Sequence, residues 1–397
     1  MSMTDSMNTT SKSTNILLLI GILCIALNLR PAIAGVGPLV DDIKLATGLS
    51  NAMLGLLTTL PLIAFGVISM LTPLFTNRFG IGKTLFGAMI LLIIGILVRY
   101  IEGNFFLYFG TLLFGISIAF GNVLLPGITK RNFSEKSGLV TSLYSAVMAV
   151  GASLAAGVSV PLTHIKGVGW RGSLVVWALL AFLAAIIWFP QVNRLKRPPI
   201  KNDFIKAMKS LTKSRLAWQV AIFMGLQSLT FYVILAWLPA ILISRGFDPD
   251  YAGWMLSLSQ ATGILASLIV PIIAGKRKDQ RSIVWVLIIM EIIGIIGLML
   301  PQFGGVAIWV SLIGFVLGGS FGLSLLFIVL RSHNTASATE LSGMAQSIGY
   351  IIAATGPFIF ASIFDFTGSW VYALMLLLVV SVLKLFSGLY IGKPGEV

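Results

Sequence analysis

ILLLIGILCIALNLRPAIAGVGPLV, residues Ile16–Val40, is apolar throughout except for Asn28 and Arg30. A helix needs about 20 such residues to cross the ~30 Å hydrocarbon core of a bilayer, so this run reads as a membrane span. Arg30 lies just past its middle, and at ~1.5 Å of rise per residue that is only a few ångströms from the bilayer centre. A guanidinium at that depth costs roughly 2.5–3.5 kcal/mol on insertion scales unless it finds partners. Two readings follow. Arg30 is an anion-binding group in a transport pathway, or its long side chain snorkels outward to the interface. Pro31 behind it clashes with the carbonyl of Leu27 in a regular helix, which predicts a kink opening backbone toward a cavity.

The rest of the chain repeats the pattern. It has 397 residues, 57% hydrophobic and 10% charged, which excludes an ordinary soluble domain. Twelve apolar runs are expected to span, near 15–39, 52–76, 83–101, 105–128, 138–162, 171–190, 216–243, 252–275, 282–301, 305–330, 341–364 and 369–391. They must be helices, because lipid offers no hydrogen-bond partner to an open sheet edge. The fold class is therefore an all-α membrane protein.

A net charge of +14 would suggest nucleic acid in a soluble protein, but here the charges sit in alternate loops. One side collects Arg78, Lys83, Lys130, Arg131, Lys136, the series Arg194 to Arg215, Lys276, Arg277, Lys278, Arg281, Arg331, Lys384 and Lys393. The other holds only Lys44, Arg99, Lys166, Arg171 and Arg245. The positive-inside bias places the first set, and both termini, in the cytoplasm of a multi-pass protein of the cell (plasma or inner) membrane. No nucleic-acid partner is expected. The first span has no small-residue cleavage site behind it and reads as a retained anchor. Cys24 is the sole cysteine, and with two histidines the chain has little material for a metal site, so no metal or cofactor is expected.

The polar stretch 191–215 divides the spans six and six, giving halves 1–190 and 216–397. It is either a bare basic linker or, around Phe204–Lys209, an amphipathic segment lying on anionic membrane lipid. The halves repeat. Ser69, Pro73 and Arg78 align with Ser267, Pro271 and Lys276. Phe120-Gly121 and Lys130 align with Phe321-Gly322 and Arg331, while Ser137-Gly138, Ser142 and Gly151 align with Ser342-Gly343, Ser347 and Gly356. Such order at nearly constant offset indicates a duplicated six-helix unit.

With these residues in view, the chain resembles the major facilitator superfamily over nearly its full length. Asn77-Arg78-Phe79-Gly80-Ile81-Gly82-Lys83 is similar to that superfamily's cytoplasmic Asp-Arg-x-Gly-Arg loop, with Asn77 in place of the aspartate. The resemblance marks Arg78 and Lys83 as gating-loop residues and implies two parallel repeats around a central cavity. A narrower resemblance is to the cyanate/2-nitroimidazole transporter family. It is carried by Leu27-Asn28-Leu29-Arg30-Pro31, Gly55-Leu56-Leu57-Thr58-Thr59-Leu60-Pro61 and Gly121-Asn122-Val123-Leu124-Leu125-Pro126-Gly127. The second half adds Gln227-Ser228-Leu229-Thr230-Phe231-Tyr232, Ala236-Trp237-Leu238-Pro239 and Met344-Ala345-Gln346-Ser347-Ile348-Gly349-Tyr350. It implies transport of a small, planar, polar or anionic solute.

Arg30 is the expected charge-recognition residue, since its fork of donors suits a flat anion or nitro group. Gln227, Tyr232, Gln346 and Tyr350 are expected to orient the solute. Asn28, Asn122, Trp237 and Gln260 are further candidates, with interhelical hydrogen bonding or packing as the competing role. Glu291 is the carboxylate nearest the middle of a span and hence the candidate for exchanging protons as the coupling ion, against a purely structural hydrogen bond. The leading expectation is alternating-access transport. Multidrug efflux through a broad apolar cavity is the alternative, and a membrane-embedded enzyme or lipid flippase a remote one. No catalytic residue is expected, because the spans hold no clustered nucleophile, acid and base.

Overall fold

The computed structural model describes residues 3–49, 51–195, 209–300, 302 and 304–396. Every regular element among them is helical. Twelve helices are long and apolar enough to cross a membrane. In the first half they are Ile16–Leu39, Leu56–Phe79, Ile81–Val98, Asn104–Asn132, Ser134–Thr163 and Gly169–Gln191. In the second they are Arg215–Ile243, Tyr251–Gly275, Arg281–Met299, Val306–Leu330, Thr335–Phe364 and Trp370–Ile391. They are numbered below as spans 1 to 12. Their outer faces carry exposed Ile63, Val67, Phe182, Val286, Phe358 and Phe386, an apolar surface that suits lipid and would aggregate in water. Of the linker expected over 191–215, residues 196–208 lie outside the described residues, and with them most of the candidate amphipathic segment. Its described flanks are tucked in, with Leu195 and Leu211 buried in the main core.

Span 1 is broken where the proline predicts. The helix Met3–Asn28 stops, Arg30 adopts φ −124°, and a short helix Pro31–Ala34 resumes beyond. The proline ring disfavours helical geometry in the residue before it, which is Arg30 itself. The far side of the break is held by Arg99, whose Nη1 donates to the Ala32 carbonyl at 3.1 Å. Arg99 belongs with the sparse charges expected in loops away from the basic side, yet it is fully buried, its guanidinium 5.1 Å from the Phe114 ring.

Lys384 corrects the loop assignment made from charge alone. It lies inside span 12, fully buried, and its Nζ sits 2.7 and 2.6 Å from the two carboxylate oxygens of Glu291 in span 9. Each charge makes the other tolerable in an apolar setting.

The two halves meet through span 2 with span 11, and span 5 with span 8. At the end that bears the basic loops, spans 4 and 5 also pack on spans 10 and 11. The repeat is visible in these contacts. Ser142 donates to the Leu268 carbonyl, and its sequence counterpart Ser347 donates to the Gly66 carbonyl, each bond crossing between halves. A β-carbon on Gly138 would lie 2.5 Å from the Pro271 carbonyl, and one on its counterpart Gly343 would lie 2.7 Å from that of Ser69. Glycine is what lets the backbones approach so closely. At the opposite end, Gly157 and Gly253 face open space, and Trp254 and Phe366 are largely exposed. The halves are in close contact at the basic end.

Candidate solute-binding site

The broken helix aims Arg30 between the halves. Its Nη1 donates to the Tyr232 hydroxyl of span 7 at 3.2 Å. Its Cζ lies 5.1 Å from the Phe321 ring centre (span 10) and 5.7 Å from that of Phe231. The side chain therefore reaches inward across to the second half, not outward to the interface. Cation–π contacts of this kind contribute about 0.5–2 kcal/mol, which offsets part of the insertion cost. The Tyr232 hydroxyl occupies one of five guanidinium N–H donors, and among the described residues no carboxylate pairs with Arg30. The site thus presents a partly satisfied cation with donors to spare.

Around it lies a cavity of about 60 Å³, lined by Arg30, Gln227, Ser228, Phe231, Tyr232, Gln260 and Phe321 together with small residues of spans 5, 8 and 10. That is room for several waters or one small flat solute, given ~10–15 Å³ of such space per water. The lining is mainly apolar with a few placed polar groups, the usual make-up of a specific small-molecule site. Span 8 and span 10 close one wall because Gly314 and Gly318 abut Ser259 and Gly263; a β-carbon at Gly318 would overlap the Gly263 carbonyl. Gln227 is buried, its Nε2 donating to the Ser228 hydroxyl at 2.7 Å and to the Met224 carbonyl at 3.1 Å.

Asn122, Gln346 and Tyr350 form a second polar cluster beside the cavity rather than among the residues lining it. Gln346 Nε2 donates to the Asn122 carbonyl at 2.8 Å, and Asn122 Nδ2 to the Tyr350 hydroxyl at 3.4 Å. Both bonds join span 4 to span 11, so these residues tie the halves together. Tyr350 packs on Phe65, with ring centres 4.9 Å apart. Gln346 Oε1 is buried with no hydrogen-bond partner among the described residues, a state that costs about 1–3 kcal/mol.

The remaining candidates sit elsewhere. Asn28 donates to the Cys24 and Leu180 carbonyls at 2.8 and 3.3 Å, joining span 1 to span 6. Trp237 donates to the Pro357 carbonyl at 3.1 Å and packs near Trp370, joining span 7 to span 11. Glu291 is outside the cavity, held by Lys384. Arg78 and Lys83 are exposed at the basic end, where the Arg78 guanidinium lies 5.2 Å from the Phe79 ring centre. Beside them Trp188 Nε1 and the Gly82 carbonyl are 3.0 Å apart, fixing the loop against span 6. Sequence reading omitted Phe321 from the site. The signal for it was its alignment with Phe120 in the other half, beside glycines that mark close packing.

A twelve-span helical protein whose two repeated halves meet around a cavity holding a cation has the architecture of a carrier. The family model for the Major Facilitator Superfamily matches residues 18–354, and the chain belongs to that superfamily. It is a multi-pass membrane transporter, not an enzyme. It is 43% identical over 366 residues to "Uncharacterized transporter YycB" of Bacillus subtilis (strain 168), covering 91% of this chain and 90% of that one. It is 39% identical over 395 residues to the "2-nitroimidazole transporter" of Escherichia coli (strain K12), covering 100% of both. Identity to "Cyanate transport protein CynX" of the same organism is 27%, over 89% of this chain and 91% of that one. Among solved structures, the proton:xylose symporter XylE superposes with a TM-score of 0.78 over 97% of this chain and 98% of that chain, at 14% identity.

Proposed function

We propose that this chain is an alternating-access secondary transporter of a small planar polar or anionic solute, with Arg30 as its charge-recognition residue. The observation that carries this reading is the unneutralised guanidinium of Arg30, held over a small cavity by a tyrosine hydroxyl and two aromatic rings. A flat anion or nitro group meets the spare N–H donors in the plane of the fork, while Phe231 and Phe321 flank it. Gln227 and Gln260 supply orienting hydrogen bonds. The names of the relatives, 2-nitroimidazole and cyanate transporters, describe solutes of this shape. Arg30 and Tyr232 come from different halves, so a solute bound between them senses the relative position of the two bodies, 1–190 and 216–397, as they rock about the linker. In this reading the basic end faces the cytoplasm of the cell membrane, and the opposite end faces outside.

The test is thermal stabilisation of the purified protein by a small panel: cyanate, nitrite, short carboxylates, 2-nitroimidazole and several bulky cationic drugs. A rise of several degrees with a flat anion or nitro-heterocycle, and none with the drugs, is the expected result. Stabilisation by the drugs alone would replace this reading with broad-specificity efflux.

A further inference from the structure

A groove of about 690 Å³ runs between spans 9 and 12 at the basic end, remote from the central cavity. Its lining falls into two zones. Trp285, Phe386 and Leu389 form an apolar floor, with Phe386 67% exposed. Arg281, Ser282, Tyr390, Lys393 and Asp279 form the rim. Arg277 joins the rim by donating from Nη1 to the Ser282 hydroxyl at 2.8 Å. The groove straddles the first residue of span 9 and the last turn of span 12. That is the level at which hydrocarbon gives way to headgroups, where tryptophan and tyrosine favour the interface.

We infer that this groove is a binding site for an anionic phospholipid, the rim cations holding the headgroup phosphate and the floor receiving an acyl chain. Charge complementarity selects the occupant. Arg277, Arg281 and Lys393 outnumber the single rim carboxylate, and exposed Lys276 and Lys278 add to the positive field. A soluble anion would use the rim alone and leave exposed the aromatic floor that the groove provides.

Asp279 gives the site a distinguishing property. Its carboxylate receives Arg281 Nε at 2.8 Å and the Arg281 backbone N–H at 2.9 Å, and forms an ion pair with Nη2 at 2.5 Å. Asp279 therefore competes with a phosphate for Arg281. Removing it strengthens lipid binding, whereas a merely structural Asp279 would weaken the site when lost.

The experiment is a titration of delipidated protein in detergent with phosphatidylglycerol or phosphatidylcholine, reading the thermal midpoint. Wild type is expected to be stabilised selectively by phosphatidylglycerol. The double variant Arg281→Gln/Lys393→Gln should bind it roughly 25-fold weaker, since each juxtamembrane cation contributes about fivefold. Asp279→Asn should bind it several-fold tighter. Trp285→Ala should weaken both lipids while keeping the preference between them. Unchanged selectivity in the double variant, or an Asp279→Asn protein that binds no better, overturns the site. Inorganic phosphate giving the same stabilisation as the lipid also overturns it, by making the rim an anion site that needs no membrane.

Discussion

Arg30→Ala is expected to weaken binding of the flat solute by about 100-fold or more and to abolish uptake, while the protein stays folded. Removing one partner of a buried, hydrogen-bonded charge contact costs 2–5 kcal/mol of binding, or roughly thirtyfold to several-thousandfold. Folding survives because Arg30 contributes a single hydrogen bond to protein, and its loss also removes the cost of holding a cation in the membrane. Arg30→Lys restores the charge but not the fork, and should recover little of the affinity. Equilibrium binding and proteoliposome uptake, alongside the thermal midpoint of each variant, make the measurement. Wild-type affinity in both variants would reduce Arg30 to a tie between span 1 and span 7.

Lys384→Met should be strongly destabilising. It leaves the Glu291 carboxylate fully buried without its counter-ion, a situation that costs about 3–5 kcal/mol when one member of a buried pair is removed. Glu291→Leu alone strands the ammonium and should cost a similar amount. Glu291→Leu/Lys384→Met together removes both charges and should return to wild-type stability or exceed it by about 1–4 kcal/mol, because neither ion then has to be desolvated. Denaturation midpoints of the four proteins complete the cycle. Uptake by the double variant separates two roles for the pair. Retained gradient-driven transport makes it a structural clasp between spans 9 and 12. A stable double variant that binds solute but has lost its response to a pH gradient makes it part of the coupling.

The spans and their duplication were legible in sequence because they rest on coarse physics: apolar runs of bilayer length, and the same serines, glycines and prolines in the same order. The break at Arg30 was legible for a local reason, since a proline restricts the residue before it wherever it occurs. Side-chain partnerships were not. Asn28 and Gln260 look alike as polar residues within apolar helices, yet one bonds Leu180 and the other faces the cavity. Which occurs depends on helix rotation, and helices apolar on every side carry no periodic signal of it. Glu291 illustrates the same limit from another direction. As an isolated carboxylate in a span it reads as a candidate for proton coupling set against a structural hydrogen bond, and only the three-dimensional neighbourhood shows Lys384 beside it. Lys384 itself was legible in principle, as a charge within an apolar run that holds no other. Its closeness to the chain's basic end disguised it.

The missing counter-ion of Arg30 has an electrical consequence. With no carboxylate beside it among the described residues, Arg30 leaves an uncompensated cation within span 1 before solute binds. Changing access from one face to the other shifts where the voltage drops relative to that charge. The unloaded protein's return stroke is then driven or opposed by the membrane potential, by up to ~2.3 kcal/mol per 100 mV if the charge traverses the whole field. If the solute of the proposed function is a monovalent anion, its binding neutralises the site and makes the loaded stroke indifferent to voltage, whereas a neutral polar solute leaves the charge in place. One guanidinium left unmatched would thus make the resting cell's polarisation a regulator of turnover, acting on the half of the cycle in which nothing is carried.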